Sequence, residues 1–271
     1  MRAHLLGVMV LGLAAIVLPQ AAQADWDPGM PAKYFQLPDL TPSGIDIRDD
    51  QNAGLRRIAD DFPCKETGPV TDVHIWGSWL DDLNGGINYF TLRFWSNNPQ
   101  GPGGFSVPAA LLWEGDIVGP AGTQTTNTKG RFTERLYKTV EYEHFWDPVT
   151  GVWGKDTQVL QYNMNIDPAL AFVQQGTPTS SQTYWLEVQA FTSSTEGQFG
   201  WKTRDPQDGH YMDDAVYWVQ PAVGGPGNWN PLEYQTGGSI DMAFVITPEP
   251  ATMALLGLGI AGLVARRRSK K

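Results

Sequence analysis

Along the middle of the chain, apolar and polar side chains alternate one by one. Leu160, Tyr162, Met164 and Ile166 are separated by Gln161, Asn163 and Asn165, and Tyr184, Leu186, Val188 and Ala190 by Trp185, Glu187 and Gln189. From Ile240 to Ile246 the large apolar residues fall on the even positions. A strand sends successive side chains to opposite faces, so a period of two predicts half-buried strands. Weaker forms of the pattern predict strands over 70–79, 87–95, 110–114, 131–143, 199–203 and 215–220. Turn-forming runs separate them, as in Asn84-Gly85-Gly86, Gly101-Pro102-Gly103-Gly104, Asp147-Pro148 and Gly224-Gly225-Pro226-Gly227. Helical spacing is confined to short pieces near 52–60 and 168–174.

Many strands without intervening helices predict an all-β fold, and faces that are only half apolar suit antiparallel sheets with one solvated side. The expectation is an antiparallel two-sheet sandwich, jelly-roll-like, over residues 33–247. No repeat of fixed period divides it, and residues 25–32 read as a linker.

The two ends carry a different pattern. Arg2, the apolar stretch Leu5 to Leu18 and the small-x-small run Ala22-Gln23-Ala24 predict a signal peptide over 1–24, a helix removed after Ala24 by signal peptidase. At the other end Pro248-Glu249-Pro250 precedes the apolar run 251–265 and a basic cluster, Arg266-Arg267-Arg268-Ser269-Lys270-Lys271. The run predicts a short transmembrane helix in the inner membrane. The arginines act as a membrane stop that leaves the preceding domain outside. As a helix the run extends only about 22 Å, so it spans only if the bilayer thins or the arginines snorkel.

This order of Pro-Glu-Pro, hydrophobic helix and arginine cluster resembles the bacterial PEP-CTERM proteins. The resemblance covers 248–271 and implies cutting near Pro248-Glu249-Pro250 by an exosortase-like enzyme. The domain would then pass to the cell-envelope surface or an extracellular, exopolysaccharide matrix. A second resemblance rests on Lys33-Tyr34-Phe35-Gln36-Leu37-Pro38-Asp39-Leu40, Ala59-Asp60-Asp61-Phe62-Pro63-Cys64, Ile75-Trp76-Gly77-Ser78-Trp79 and Phe199-Gly200-Trp201-Lys202. These look like a domain of unknown function that recurs in exported bacterial proteins. It implies an extracellular β domain and no established chemistry.

Charge narrows the partners. Of 19 Lys and Arg, one lies in the leader and five in the tail, leaving 13 against all 29 acidic residues, a balance of −16 over 25–250. Such a surface repels nucleic acid and anionic headgroups and tolerates neutral polysaccharide. Cys64 is the only cysteine, so no internal disulfide can form, and it reads as a buried small hydrophobe.

Candidate chemistry is sparse. Adjacent aspartates recur, and the pairs Asp60-Asp61 and Asp213-Asp214 are the best candidates for Ca2+, which takes carboxylate oxygens. Solvated turn residues are the ordinary account of such pairs. Glu141 and Glu143 share a face of a predicted strand, but a solvated face explains them better than a glycosidase pair. Among 11 tryptophans, Trp76 and Trp185 lie where a saccharide ring could stack, while Trp95, Trp146, Trp153 and Trp229 fall near turns. Burial in a core is the default for any of them. His74, His144 and His210 share no metal-like spacing, and His74 is expected to face solvent or a hydroxyl. No phosphate loop, nucleophile elbow or zinc motif occurs, so no catalytic residue is assigned. The expectation is a non-enzymatic, exported, surface-sorted matrix component. The alternatives are a carbohydrate-binding module, marked by a row of exposed aromatic rings, and a glycoside hydrolase or lyase, marked by two carboxylates facing across a cleft.

Overall fold

The computed structural model describes residues 25–53, 57–101, 103–206, 211, 213–219, 227–234 and 238–248. The expected signal helix and cleavage residues Ala22 and Ala24, the sorting residues Glu249 and Pro250, the transmembrane helix and the stop residues Arg266, Arg267 and Arg268 lie outside them. Among the described residues, no helix is long and apolar enough to cross a membrane.

Strands dominate this region. In chain order they are β1 Tyr34–Gln36, β2 Ile45–Arg48, β3 Ile58–Cys64, β4 Gly68–Val70, β5 Asp72–Trp79, β6 Ile87–Asn98, β7 Val107–Val118 and β8 Thr128–Asp147. There follow β9 Val152–Ile166, β10 Phe172–Gln174, β11 Gln182–Thr192, β12 Phe199–Lys202, β13 Val216–Val219, β14 Asn228–Pro231 and β15 Phe244–Ile246. The all-β expectation holds. Residues 58–60 and 172–174, read as helix-compatible, are strands, and the 3-10 turns that lie wholly within the described residues are Gln51–Ala53 and Leu80–Asp82.

Two apolar layers face each other across one core. Phe90 of β6 meets Tyr162 of β9 at 5.2 Å and Phe199 of β12 at 5.5 Å, although β6 pairs with neither strand. Phe62 of β3 likewise meets Phe244 of β15 at 6.0 Å. Such contacts make the fold sandwich-like, but the layers are not separate sheets. One hydrogen-bonded path runs β1-β15-β5-β12-β2-β8-β7-β6-β11-β3-β13-β14, with β9 joined to both β5 and β8. Two pairings, β2 with β8 and β7 with β8, are parallel. The wholly antiparallel, two-sheet jelly-roll expectation is therefore corrected. The physical reason is the length of β8, 20 residues, and its register breaks against β9 at Leu136/Lys138 and Thr139/Glu143. Bulges bend a strand and let it pass from one layer to the other.

The segment 25–32 is not a free linker. Trp26 is buried edge-on against Trp76, with ring centroids 6.1 Å apart. Gln161 Nε2 donates to the Trp26 carbonyl at 2.7 Å, and Asn163 Nδ2 donates to Asp25 Oδ1 at 2.9 Å. A tryptophan buries enough area to hold a short polar segment down.

Phe90 tests the shared core, because it also touches Phe132 at 5.1 Å and is fully buried. Phe90→Ala should cost about 3–5 kcal/mol in denaturant unfolding. An unchanged unfolding midpoint would contradict the two-layer packing.

Candidate functional site

Five strands close a ring through their hydrogen bonds. β5 pairs with β12 (Gly77↔Trp201), β12 with β2 (Lys202↔Asp46) and β2 with β8 (Ile45↔His144). β8 then pairs with β9 (Glu143↔Asp156), and β9 returns to β5 (Leu160↔Gly77). Each strand supplies one polar side chain to a single cluster: Ser78, Lys202, Asp46, Glu143 and Asp156. None is more than 1% exposed. Alternation places them there. Ile45, Ile47, Trp79 and Trp201 enter the main apolar core, so Asp46, Ser78 and Lys202 must point to the opposite face. The β8–β9 hairpin brings Glu143 and Asp156 over that face. Gly200 leaves room for this packing, since a Cβ there would lie 2.8 Å from both Asp46 Cβ and the Phe145 ring.

Lys202 Nζ lies 3.0 Å from Asp46 Oδ2 and 2.5 Å from Glu143 Oε2. No hydrogen bond of good geometry reaches Asp46 Oδ1, Glu143 Oε1 or either Asp156 oxygen, although the Ser78 hydroxyl lies within reach of Asp46 and Asp156 and favours their ionised forms. One oxygen from each carboxylate lies within 4.8 Å of the others. Burial disfavours the ionised acids. It pushes Asp156 up to about 9, with the Asp46 charge adding to it, and Glu143 up to about 7 against the pull of Lys202. Asp46 is raised by burial too. Burial works against the Lys202 charge, but Asp46 and Glu143 outweigh it and hold the ammonium protonated.

The other face of the same hairpin is aromatic. Paired residues of antiparallel strands share a face, so Trp146 stands beside Trp153 and His144 beside Lys155. The two indoles stack at 5.5 Å and 17°, His144 meets Trp153 edge-on at 5.8 Å, and Tyr142 meets His144 at 5.6 Å. Tyr142 is 41% and Trp153 43% exposed. Asp147 forms the hairpin tip by accepting from the backbone N–H of Val149 at 3.0 Å and of Thr150 at 3.3 Å. Beside the aromatic row lies an open groove of about 520 Å³ whose walls include Leu80, Asp81, Tyr142, His144, Trp153 and Lys155. Its Leu80–Asp82 wall is strained, with Asp81 and Asp82 both left-handed at φ 54° and 57°. The Asp82 carboxylate holds this turn, accepting from Thr157 N, Thr157 Oγ1 and Gln158 N at 2.7–3.0 Å.

The residues singled out from sequence fare differently. Trp76 and Trp185, the expected saccharide platform, are both fully buried. Trp76 packs under Trp26 and Tyr137, and Trp185 lies in a cluster with Trp95, Phe105 and Trp229. Both stand on the strand face opposite the main core, but other side chains cover that face. The expected calcium ligands Asp60, Asp61, Asp213 and Asp214 do not converge on one ion; among the described residues only Asp46, Glu143 and Asp156 form a group of three that could. Neighbours along a strand face opposite ways. Asp60 accepts from Gln36 Nε2 and Met242 N, whereas burial and the adjacent Asp60 charge push Asp61 up to about 10. Asp213 accepts from Ser106 N at 2.9 Å. Of the sorting motif, Pro248 is described and is partly exposed. His74 is buried, bonded to Asn163 Oδ1 at 2.7 Å and Asp72 Oδ2 at 3.1 Å. Glu141 is exposed and Glu143 buried, so they form no working pair. Cys64 is free and buried. Sequence reasoning missed Asp46, Asp156 and Lys202. The aromatic row had a signal, Trp146 and Trp153 flanking Asp147-Pro148.

The raised carboxyls set a pH dependence. Both pKa values exceed those of an unfolded chain, about 4. The native state therefore binds more protons, and stability falls as pH rises through about 7 for Glu143 and about 9 for Asp156. In metal-free buffer the thermal midpoint should drop between pH ~5 and ~9, and drop less in Asp156→Asn. A midpoint that climbs over this range would contradict the assignment.

Comparison with known proteins identifies the C-terminal motif and the central domain. Residues 247–268 match the PEP-CTERM protein-sorting motif, which implies an exported protein processed by an exosortase at the membrane and sorted to the surface. No curated protein and no solved structure matches the chain. Residues 32–247, nearly the whole described region, match the domain of unknown function DUF7901, and the chain belongs to that family.

Proposed function

We propose that the chain is a non-enzymatic component of the cell envelope or exopolysaccharide matrix, and that the row Tyr142, His144, Trp146 and Trp153 is where it holds neutral polysaccharide. In this reading the leader is removed after Ala24, and 251–265 anchors the chain in the inner membrane until an exosortase cuts near Pro248-Glu249-Pro250. The observation that carries the binding role is the exposure of Tyr142 and Trp153 on a hairpin face beside an open groove. Flat rings take up the C–H faces of sugars, while Asp81, His144 and Lys155 offer polar atoms at the rim. The charge of −16 over 25–250 weighs against nucleic acid and anionic lipid as partners.

The hydrolase reading has less behind it. Glycoside hydrolysis needs two carboxyls on either side of a reachable bond. Asp81 is the one carboxylate of the groove among the described residues, and Glu143 and Asp156, whose pKa values are raised, are buried on the hairpin's other face.

Affinity electrophoresis through gels containing a neutral glucan tests the platform. Trp153→Ala and Tyr142→Ala should each weaken retardation about ten-fold, as loss of a central aromatic contact does. Thermal stability should change by much less than in Phe90→Ala, because both side chains lie outside the buried core and are about two-fifths exposed. Equal retardation of wild type and both variants would remove the platform.

A further inference from the structure

We propose that the cluster inside the five-strand ring is a divalent-cation site, with Asp46, Glu143 and Asp156 as ligands, Ser78 Oγ beside them and calcium as the ion. The donor set is all oxygen, without imidazole or thiolate, and therefore suits a hard cation. Oxygens bound to one Ca2+ at ~2.4 Å lie no more than ~4.8 Å apart, and the three carboxylates already meet that spacing.

Charge points the same way. Lys202 engages one oxygen of Asp46 and one of Glu143, while Asp46 Oδ1, Glu143 Oε1 and both Asp156 oxygens have no hydrogen bond of good geometry. Three carboxylates and one ammonium leave −2 in a fully buried space, which one divalent ion cancels. Ser78 supplies a separate observation. Its hydroxyl is fully buried and within hydrogen-bonding reach of both Asp46 and Asp156, yet it has no hydrogen bond of good geometry to either, and its one proton can serve only one of them. A hydroxyl so placed offers a lone pair to an ion held by those two acids. The competing occupant is the proton, since protonating two of the acids also neutralises the cluster. The groups that face one another there are Asp46 on β2, Ser78 on β5, Glu143 on β8, Asp156 on β9 and Lys202 on β12, with Asp39 acting on Glu143 at longer range.

The test uses the full chain, stripped with a chelator and titrated with calcium chloride at pH ~7.5. Calorimetry reads the stoichiometry. One saturable site is expected, and ~5 mM calcium should raise the thermal midpoint by about 3 °C or more. Asp156→Asn keeps the shape of the side chain and removes one like charge. It should fold with an undiminished metal-free midpoint and lose the calcium shift, with binding weakened at least about ten-fold. Glu143→Gln serves the same purpose if the first variant does not fold. Asp61→Asn, in the separate acidic region, should keep the shift. Absence of saturable binding in the wild type would leave protons as the sole occupants and overturn the proposal. So would a calcium shift that survives in Asp156→Asn, or one lost in Asp61→Asn alone, because either places the ion elsewhere.

Discussion

Lys202 is the point on which the architecture turns. Its ammonium is buried where five strands meet, and it is the cation that three carboxylates from three other strands share. A buried charge with no partner costs several kcal/mol, so the strands that carry these acids are held to one geometry around it. The hydrogen-bonded ring β5-β12-β2-β8-β9 and the charge cluster enforce each other. The ring fixes which side chains meet, and the ion pairs penalise any slip in register, because a shift of one residue would send Asp46 or Lys202 into the apolar core.

That constraint also explains how the hairpin comes to present two unlike faces. Glu143 and Asp156 turn inward to meet Lys202, so His144 and Lys155 one step away, and Trp146 and Trp153 three steps away, take the opposite face, where Trp146 packs against the main core and Trp153 stays partly exposed. The aromatic row is therefore displayed by the same alternation that buries the acids. Elsewhere, Arg93 bridges Glu187 and Glu114, and Arg57 stacks over Trp218 at 4.7 Å, so these charges too are neutralised in pairs.

Strand positions were legible where period two was strict, as over 160–166 and 184–190, because one face of those strands meets the core. What the alternation could not reveal is what lies over the other face. Trp76 and Trp185 stand on the polar side of their strands, but Trp26 from a segment read as a linker covers one, and Trp95, Phe105 and Trp229 pack around the other. The cluster was illegible for a similar reason. Positions 46, 78, 143, 156 and 202 share no local spacing and come together only through long-range pairing. Asp60 and Asp61 misled in the opposite sense, since adjacency in a strand separates side chains. The local features did show: Trp146 and Trp153 flank a turn signal, and the Pro-Glu-Pro tail is a contiguous motif that needs no fold to be recognised.

Native-state amide exchange on Lys202→Met tests the central role of the buried ammonium most directly. Without it three carboxylates face one another, and the hairpin arms over 143–147 and 152–156 should lose most of their protection, while β6 and β11 in the apolar core stay protected. Protection of the arms equal to that of the wild-type chain, or a loss spread evenly over all strands, would show that Lys202 does not hold the ring closed.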